Sequence, residues 1–272
     1  VQAAREGRID QIVVAMPQAA DRRIADIVKK LDQLPVDVRI VTHIASDLYQ
    51  RADNAHAVAS LGPVGLMEVK RRPFADWQPI CKAVIDYGCG TLLAIVALPI
   101  AIAAAIAVKL DSEGPVLFRQ KRRGLNGSTF DVLKFRTMTV MEDGENVKQV
   151  CAGDPRITKV GRFLRRTSID ELPQLWNVLR GDMSLVGPRP HALVHDDEYS
   201  KKLEEYAARH QVKPGITGLA QVKGWRGETS TDDKMRGRIE LDMTYIKTWT
   251  PWLDIKILAE TVVAVIRGKN AA

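Results

Sequence analysis

The chain has 272 residues, with 40 Lys and Arg against 33 Asp and Glu for a net charge of +7, and 46% of it is apolar. That much apolar material builds a core and excludes wholesale disorder, and the length suits one large domain or two modest ones. Aromatics at 6% are too sparse for stacking along a single nucleic-acid strand, and Cys81, Cys89 and Cys151 lack CxxC or Cys/His spacing, which argues against a disulfide framework or structural zinc and fits a reducing compartment.

The chain opens on Val1 with no signal-type apolar core, so we expect the downstream part of a longer polypeptide. Ile9–Ala15 is a short β-branched run. Ala20–Leu34 then shows helical spacing at Ile24, Ile27, Val28 and Leu31, and Val36–Val41 alternates as a second strand. This predicts one βαβ unit, too small to bury a core alone. No GxGxxG follows the first strand, so a dinucleotide site has no support. Gly62, Pro63 and Gly65 break the chain, and Lys70-Arg71-Arg72-Pro73 reads as the join to a second section.

Charge divides the chain in the same way. Residues 1–70 carry nine basic and nine acidic side chains, whereas 109–166 carry 13 basic against 7 acidic. Such segregation points to an anionic partner near the second half, with chance clustering as the plain alternative.

Tyr87–Val108 contains no charge over 22 residues, long enough for a membrane span, yet Pro99 stands near its centre. Basic residues flank it on both sides: Lys70, Arg71, Arg72 and Lys82 before, Lys109, Arg119, Lys121, Arg122 and Arg123 after. Cations favour the cytoplasmic face, so a straight span puts one flank on the wrong side. A helix broken at Pro99 that dips in and returns satisfies both flanks. A true span and a buried core helix are the alternatives. Val116–Arg122 and Thr129–Arg136 then read as a hairpin closed by Gly124-Leu125-Asn126-Gly127. Alternation puts Lys134 and Arg136 on one face, able to hold a diphosphate or simply to form a solvated edge.

Residues 161–190 carry the chemistry. Pro173 belongs in a first helical turn, which predicts a helix from about Asp170 to Leu179, stopped by Gly181, with Asp170 as N-cap. A capping Asp170 and a dipole-complementing Glu171 would be the plain explanation. Arg165 and Arg166 just upstream, and Arg189 in the rigid Gly187-Pro188-Arg189-Pro190 turn, favour a phosphate site instead. Adjacent carboxylates also suit Mg²⁺, which bridges to substrate phosphates. There is no GxxxxGK[ST], so P-loop nucleotide hydrolysis is not indicated. Near the end, Ile255, Leu258, Ala259, Val262, Val263 and Ile266 form an amphipathic stripe after Trp249 and Trp252. Packing on the domain is the default expectation for it, and a membrane interface the alternative.

From about residue 70 to 270 the chain resembles the bacterial sugar transferases, the monotopic polyprenyl-phosphate phosphoglycosyl transferases. The resemblance rests on the Pro-broken apolar segment, Lys134-Phe135-Arg136-Thr137-Met138, Asp154-Pro155-Arg156 with Thr158, and Arg165–Gln174 (RRTSIDELPQ). Gly187-Pro188-Arg189-Pro190 and Lys213-Pro214-Gly215-Ile216-Thr217-Gly218 complete it. Pro190-His191-Ala192 and Gly224–Thr229 (GWRGET) resemble most the members that use undecaprenyl phosphate and glucose in exopolysaccharide initiation.

The resemblance implies a mixed α/β catalytic domain over 70–272, with a re-entrant helix at about 84–110. It also implies that 1–69 is the end of a Rossmann-like accessory domain. The implied reaction moves a hexose 1-phosphate from a UDP-sugar to undecaprenyl phosphate and releases UMP. Glucose is favoured, then galactose, with N-acetylated sugars behind. Asp170 is implied as the nucleophile forming a covalent phosphosugar intermediate, and Glu171 as its partner, the two holding Mg²⁺. Arg165, Lys134, Arg136 and Arg189 are implied as phosphate ligands. The bacterial inner membrane, a cytoplasmic active site, a homodimer and no nucleic-acid partner are implied as well. The rival class is a non-catalytic module for anionic lipid or nucleic acid, which leaves the ordered motifs unexplained.

Overall fold

Short β-branched runs and one amphipathic helix build the first section, and a long apolar helix organises the second. The computed structural model describes residues 2–5, 9–16, 21–31, 34–41, 58–61, 64–139, 154–193, 196, 199–200, 206–225 and 232–267. The chain divides into two compact units, Val1–Ala75 and Asp76–Ala272.

In the first unit α1 (Gln2–Arg5) precedes β1 (Gln11–Val14), α2 (Asp21–Leu31), β2 (Asp37–Val41), β3 (Val58–Leu61) and β4 (Val64–Lys70). The sheet order is β1-β2-β4-β3. β1 and β2 run parallel around the α2 crossover, and β4 is antiparallel to both neighbours. Ile27, Val28 and Leu31 of α2 close over a core of Val14, Leu34, Val36 and Val38, as their helical spacing predicts. Gly65 and Lys70, expected at a break and a join, lie inside β4. Gly62 and Pro63, expected at the same break, lie outside the described residues.

The second unit begins with α3, one 34-residue helix from Gln78 to Asp111 that runs on through Pro99. The break expected at Pro99 is therefore not an end of hydrogen-bonded helix. Among the described residues α3 is the one helix long and apolar enough to cross a membrane. Its middle is uncovered: Leu92, Ile95 and Val96 are 64–65% exposed. Both of its ends pack on this unit. Near the start, a Cβ on Gly90 would touch Val178 and Leu179. Near the end, Ala104 and Val108 share a cluster with Phe135 and Leu164.

Lys82, expected among the flanking cations, is instead buried. Its Nζ donates to Asp254 Oδ2 at 2.6 Å, to the Val186 carbonyl at 2.9 Å and to Asp86 Oδ1 at 3.3 Å. Burial pushes the Asp254 carboxyl upward, against the pull of Lys82.

After α3 come β5 (Leu117–Arg123) and β6 (Thr129–Phe135), the expected hairpin, paired from Leu117↔Phe135 to Arg123↔Thr129. Then follow α4 (Lys159–Thr167), α5 (Gln174–Arg180), β7 (Ser184–Val186), β8 (Gly215–Thr217), α6 (Leu219–Val222), α7 (Asp232–Thr248) and α8 (Pro251–Arg267).

The expected packing of the α8 stripe is corrected. Ile255, Val262 and Val263 are exposed, as is Trp252, whereas Asp254 and Ile257 are fully buried and Trp249 sits in the core. Lys82 and the Tyr245 hydroxyl both grip Asp254, and that fixes the 254/257/261 face inward.

Candidate active site

Asp170 and Glu171 do not open a helix, contrary to the sequence expectation. Thr158 caps α4 by accepting from the Gly161 nitrogen at 2.9 Å, and α4 ends at Ser168, whose φ of 60° is left-handed. A single 3₁₀ turn over Ile169–Glu171 follows, then Pro173 and α5. The left-handed Ser168 reverses the chain, so Asp170 projects from a tight turn between two helices rather than serving as N-cap. Asn177 of α5 ties this turn to β6: its amide donates to the Asp131 carbonyl at 2.8 Å and accepts from the Leu133 nitrogen at 3.0 Å. Lys134 is the next residue along that strand.

The Gly187–Pro190 and Lys213–Gly218 motifs meet as backbone. Gly187 donates to the Thr217 carbonyl at 2.9 Å and Gly215 to the Pro188 carbonyl at 3.0 Å. A Cβ on Gly187 would stand 2.6 Å from the Lys213 carbonyl oxygen, so only glycine permits this approach. The docked turn aims Arg189 at Glu171.

Glu171 is the hub. Lys134 Nζ donates to its Oε1 at 3.1 Å, and Arg189 donates to Oε1 at 2.6 Å and Oε2 at 3.4 Å. The Glu171 carboxylate raises the affinity of Arg189 for its proton, whereas burial lowers that of Lys134. Asp170 beside it is half-buried. Among the described residues, no hydrogen bond or ion pair closes on its carboxylate. Burial pushes its pKa above the ordinary aspartate range, with Glu171 adding to the rise and Lys134, Arg165 and Arg189 opposing it. Arg165, in the last turn of α4, thus acts on Asp170 through its field. It also acts on Asp154, whose carboxyl is lowered to about 2 mainly by hydrogen bonds from Arg156.

The structure brings together Asp170, Glu171, Lys134, Arg165 and Arg189, but not Arg136. The Arg136 guanidinium turns to the end of α3, where it donates to the Ser112 and Glu113 carbonyls and to Ser112 Oγ. β6 ends at Phe135, so alternation no longer governs the next side chain, and the open carbonyls of a helix C-terminus attract the cation. Pro99 lies in the uncovered middle of α3.

Behind Arg189 stands a layer that sequence spacing does not reveal. Arg209 donates to the Arg189 carbonyl at 2.9 Å and pairs with Asp242 at 2.8–2.9 Å. Arg238 contacts His191 Nε2 at 3.2 Å, and the Tyr206 hydroxyl lies 2.6 Å from Nδ1 while donating to Asp196. Burial and the surrounding arginines hold His191 well below its usual pKa, hence neutral. Burial and the neighbouring Arg189 lower Arg122 to about 10. Of this layer, Arg122 was accessible to hairpin pairing logic. Arg209 and Arg238 come from distant segments with no shared motif.

Among the described residues no group of three or more His, Cys, Asp or Glu gathers as a metal site. Asp170 and Glu171 nevertheless supply hard oxygen donors. Asp170 is uncommitted among the described residues, and Glu171 Oε2 accepts a long bond from Arg189 at 3.4 Å. Two such donors fit a Mg²⁺ that takes its other oxygens from substrate phosphate and water.

Residues 77–268 match the family described as Bacterial sugar transferase, and residues 1–42 match a CoA-binding domain. The chain is 43% identical over 280 residues to an undecaprenyl-phosphate glucose phosphotransferase of Komagataeibacter xylinus, covering 98% of this chain and 51% of the relative. It is 56% identical over 190 residues to a UDP-glucose:undecaprenyl-phosphate glucose-1-phosphate transferase of Caulobacter vibrioides, covering 70% and 71%. The protein of that same name in Escherichia coli K12 is 43% identical over 264 residues, covering 96% and 56%. The chain thus spans about half the length of two of these relatives. Its second unit, with the Asp170–Glu171 turn and the docked Gly187–Pro190 loop, belongs to the bacterial sugar transferase family.

Proposed function

We propose that this chain carries the catalytic part of an enzyme that transfers glucose 1-phosphate from UDP-glucose to undecaprenyl phosphate and releases UMP. The observation that carries the reading is the uncommitted Asp170 carboxylate beside a Glu171 already gripped by Lys134 and Arg189. A general anion-binding module needs no such carboxylate in its cationic centre. The names of the relatives supply the substrates.

A two-step transfer follows from this chemistry. Asp170 attacks the sugar-bearing phosphorus. A P–O bond forms to the carboxylate, and the bond from phosphorus to the bridging oxygen breaks, so that UMP departs with the electron pair. An oxygen of undecaprenyl phosphate then attacks the same phosphorus, the acyl-phosphate bond breaks, and Asp170 returns as a carboxylate. Lys134 and Arg189 stabilise charge on the transferring group without moving, because Glu171, Arg209 and Asn177 pre-set them or the backbone beside them, and Arg165 adds its field from the last turn of α4. Asp170 and Glu171 would hold a Mg²⁺ that, when bound, withdraws charge from the diphosphate.

The uncovered apolar middle of α3 supports a re-entrant course at the cytoplasmic face of the bacterial inner membrane. Both of its ends pack on one unit, whereas a straight span would part them by a bilayer. The exposed α8 face with Trp252, and exposed Trp176 and Phe163 beside the Asp170 turn, suit the same interface.

The test is UMP release by the full chain in nanodiscs containing undecaprenyl phosphate, across UDP-glucose, UDP-galactose and their N-acetylated counterparts. UDP-glucose is expected to be used fastest. Release of UMP from none of them overturns the reading.

A further inference from the structure

We propose that Arg122 is a further phosphate-binding residue of this site, gripping with Lys134 and Arg189 a phosphate group of a substrate. The inference rests on the phosphotransfer reading above and adds a residue to it.

Hairpin geometry brings Arg122 to the site. The register pairs Arg122 with Phe130 and Phe118 with Lys134. Directly paired residues point to the same side, and so do residues two apart on one strand. Gln120 and Arg122 of β5 therefore share a face with Lys134 of β6. Arg122, from the partner strand, is the second cation on the face where the sequence alone suggested Arg136.

The bonding of Arg122 is incomplete in a particular way. One guanidinium nitrogen donates to the Pro190 carbonyl at 3.3 Å, and the other donates to Gln120 Oε1. Both acceptors are neutral. No carboxylate forms an ion pair with Arg122 among the described residues, and its Nε is buried without a hydrogen-bond partner. Buried N–H groups are almost always satisfied, and an orphan of this kind calls for an explanation. Its neighbour Arg189 carries the same charge, and Arg189 and Lys134 already share the single carboxylate of Glu171.

Arg122, Lys134 and Arg189 face two carboxylates, Glu171 and the half-buried Asp170, and burial works against the ionisation of Asp170, so negative charge falls short of positive. A phosphate corrects it: the oxygens accept from a guanidinium edge, and the charge offsets the repulsion between Arg122 and Arg189. A purely structural brace for Pro190 would need only the one nitrogen that already serves it.

Two substrates carry this group, the nucleotide-sugar and the lipid phosphate, and the experiment separates them. The full chain in nanodiscs without polyprenyl phosphate is titrated with UDP by calorimetry. In a second arm, KM for undecaprenyl phosphate is taken from UMP release. Arg122→Gln is expected to weaken one arm by about 10-fold or more, as the loss of a charged hydrogen bond does, with Arg122→Lys recovering part. The arm that moves identifies the phosphate. The ligand-free thermal midpoint of Arg122→Gln is expected not to fall, because a like-charged neighbour has been removed.

Unchanged affinity in both arms overturns the role of Arg122 whatever happens to stability. If Arg122→Gln does not fold, Arg122→Lys, which keeps the charge and loses the Nε edge, decides by the same readouts. A parental chain that neither binds UDP nor releases UMP overturns the phosphotransfer reading itself. A parental chain that does both, with variants indistinguishable from it, overturns Arg122 alone.

Discussion

Asp170 is a residue whose environment works against its own charge. Burial raises its pKa above the ordinary aspartate range, so it must lose a proton the fold would rather keep. Attack on phosphorus needs the ionised form, and activity falls as pH drops through that raised value. Glu171 adds to the rise, so Glu171→Gln is expected to move the acid limb of kcat/KM to lower pH while lowering kcat. A pH–rate profile checks both. The stability sign runs the opposite way. A carboxyl with a raised folded pKa contributes most below its unfolded pKa of about 4, and that contribution is lost as pH rises through the folded value. At neutral pH the charged Asp170 therefore costs stability. Asp170→Asn is expected to raise the thermal midpoint in metal-free buffer at pH 7 while abolishing turnover. The residues were legible unevenly. Asp170, Glu171 and Arg189 stand in short ordered motifs, and Lys134 in a predictable strand. Arg136 stands apart from the other four because its side chain answers to the end of α3, a contact no local spacing encodes. Arg209 and His191 meet only through the fold.

At the scale of elements, the strands and helices were largely readable from periodicity, and the joints were not. The β5–β6 hairpin and the strands of the βαβ unit formed within a residue or two of expectation, and its helix, expected over 20–34, spans Asp21–Leu31. The Asp170 segment became a 3₁₀ turn because Ser168 adopts a left-handed conformation that nothing in its identity announces. The rotation of α8 was likewise hidden. Its apolar stripe faces outward because Asp254 is drawn in by Lys82, 172 residues away in sequence. This joint links α3, α8 and β7, and β7 leads directly into the Arg189 turn. Lys82→Met leaves Asp86 and Asp254 buried without their cation and is expected to cost about 3–5 kcal/mol. Adding Asp254→Asn is expected to restore part of that loss. Denaturation midpoints of the single and double variants in detergent check the coupling.

At the scale of the whole molecule, charge and apolar surface are divided by purpose. The first unit, with 11 basic and 9 acidic side chains, contains its own small core, and most of the surplus charge, +5 of +7, lies with the unit that carries α3 and the Asp170 turn. Net charge alone was ambiguous; its position beside an apolar helix and a phosphate-type site was informative. A re-entrant α3 predicts that cysteines introduced on either side of 87–108 are labelled from the same face of sealed vesicles. Labelling from opposite faces would mean a true span. Whether Asp170 itself carries the sugar phosphate is decided by an experiment without the lipid acceptor. The full chain is mixed with UDP-glucose labelled in the sugar, in nanodiscs lacking polyprenyl phosphate, and protein-bound label and UMP are measured together. Bound label and UMP are expected in equal amounts, approaching one per chain, and neither is expected from Asp170→Asn. UMP that appears only after undecaprenyl phosphate is added, with no label on the protein, would contradict that role of Asp170.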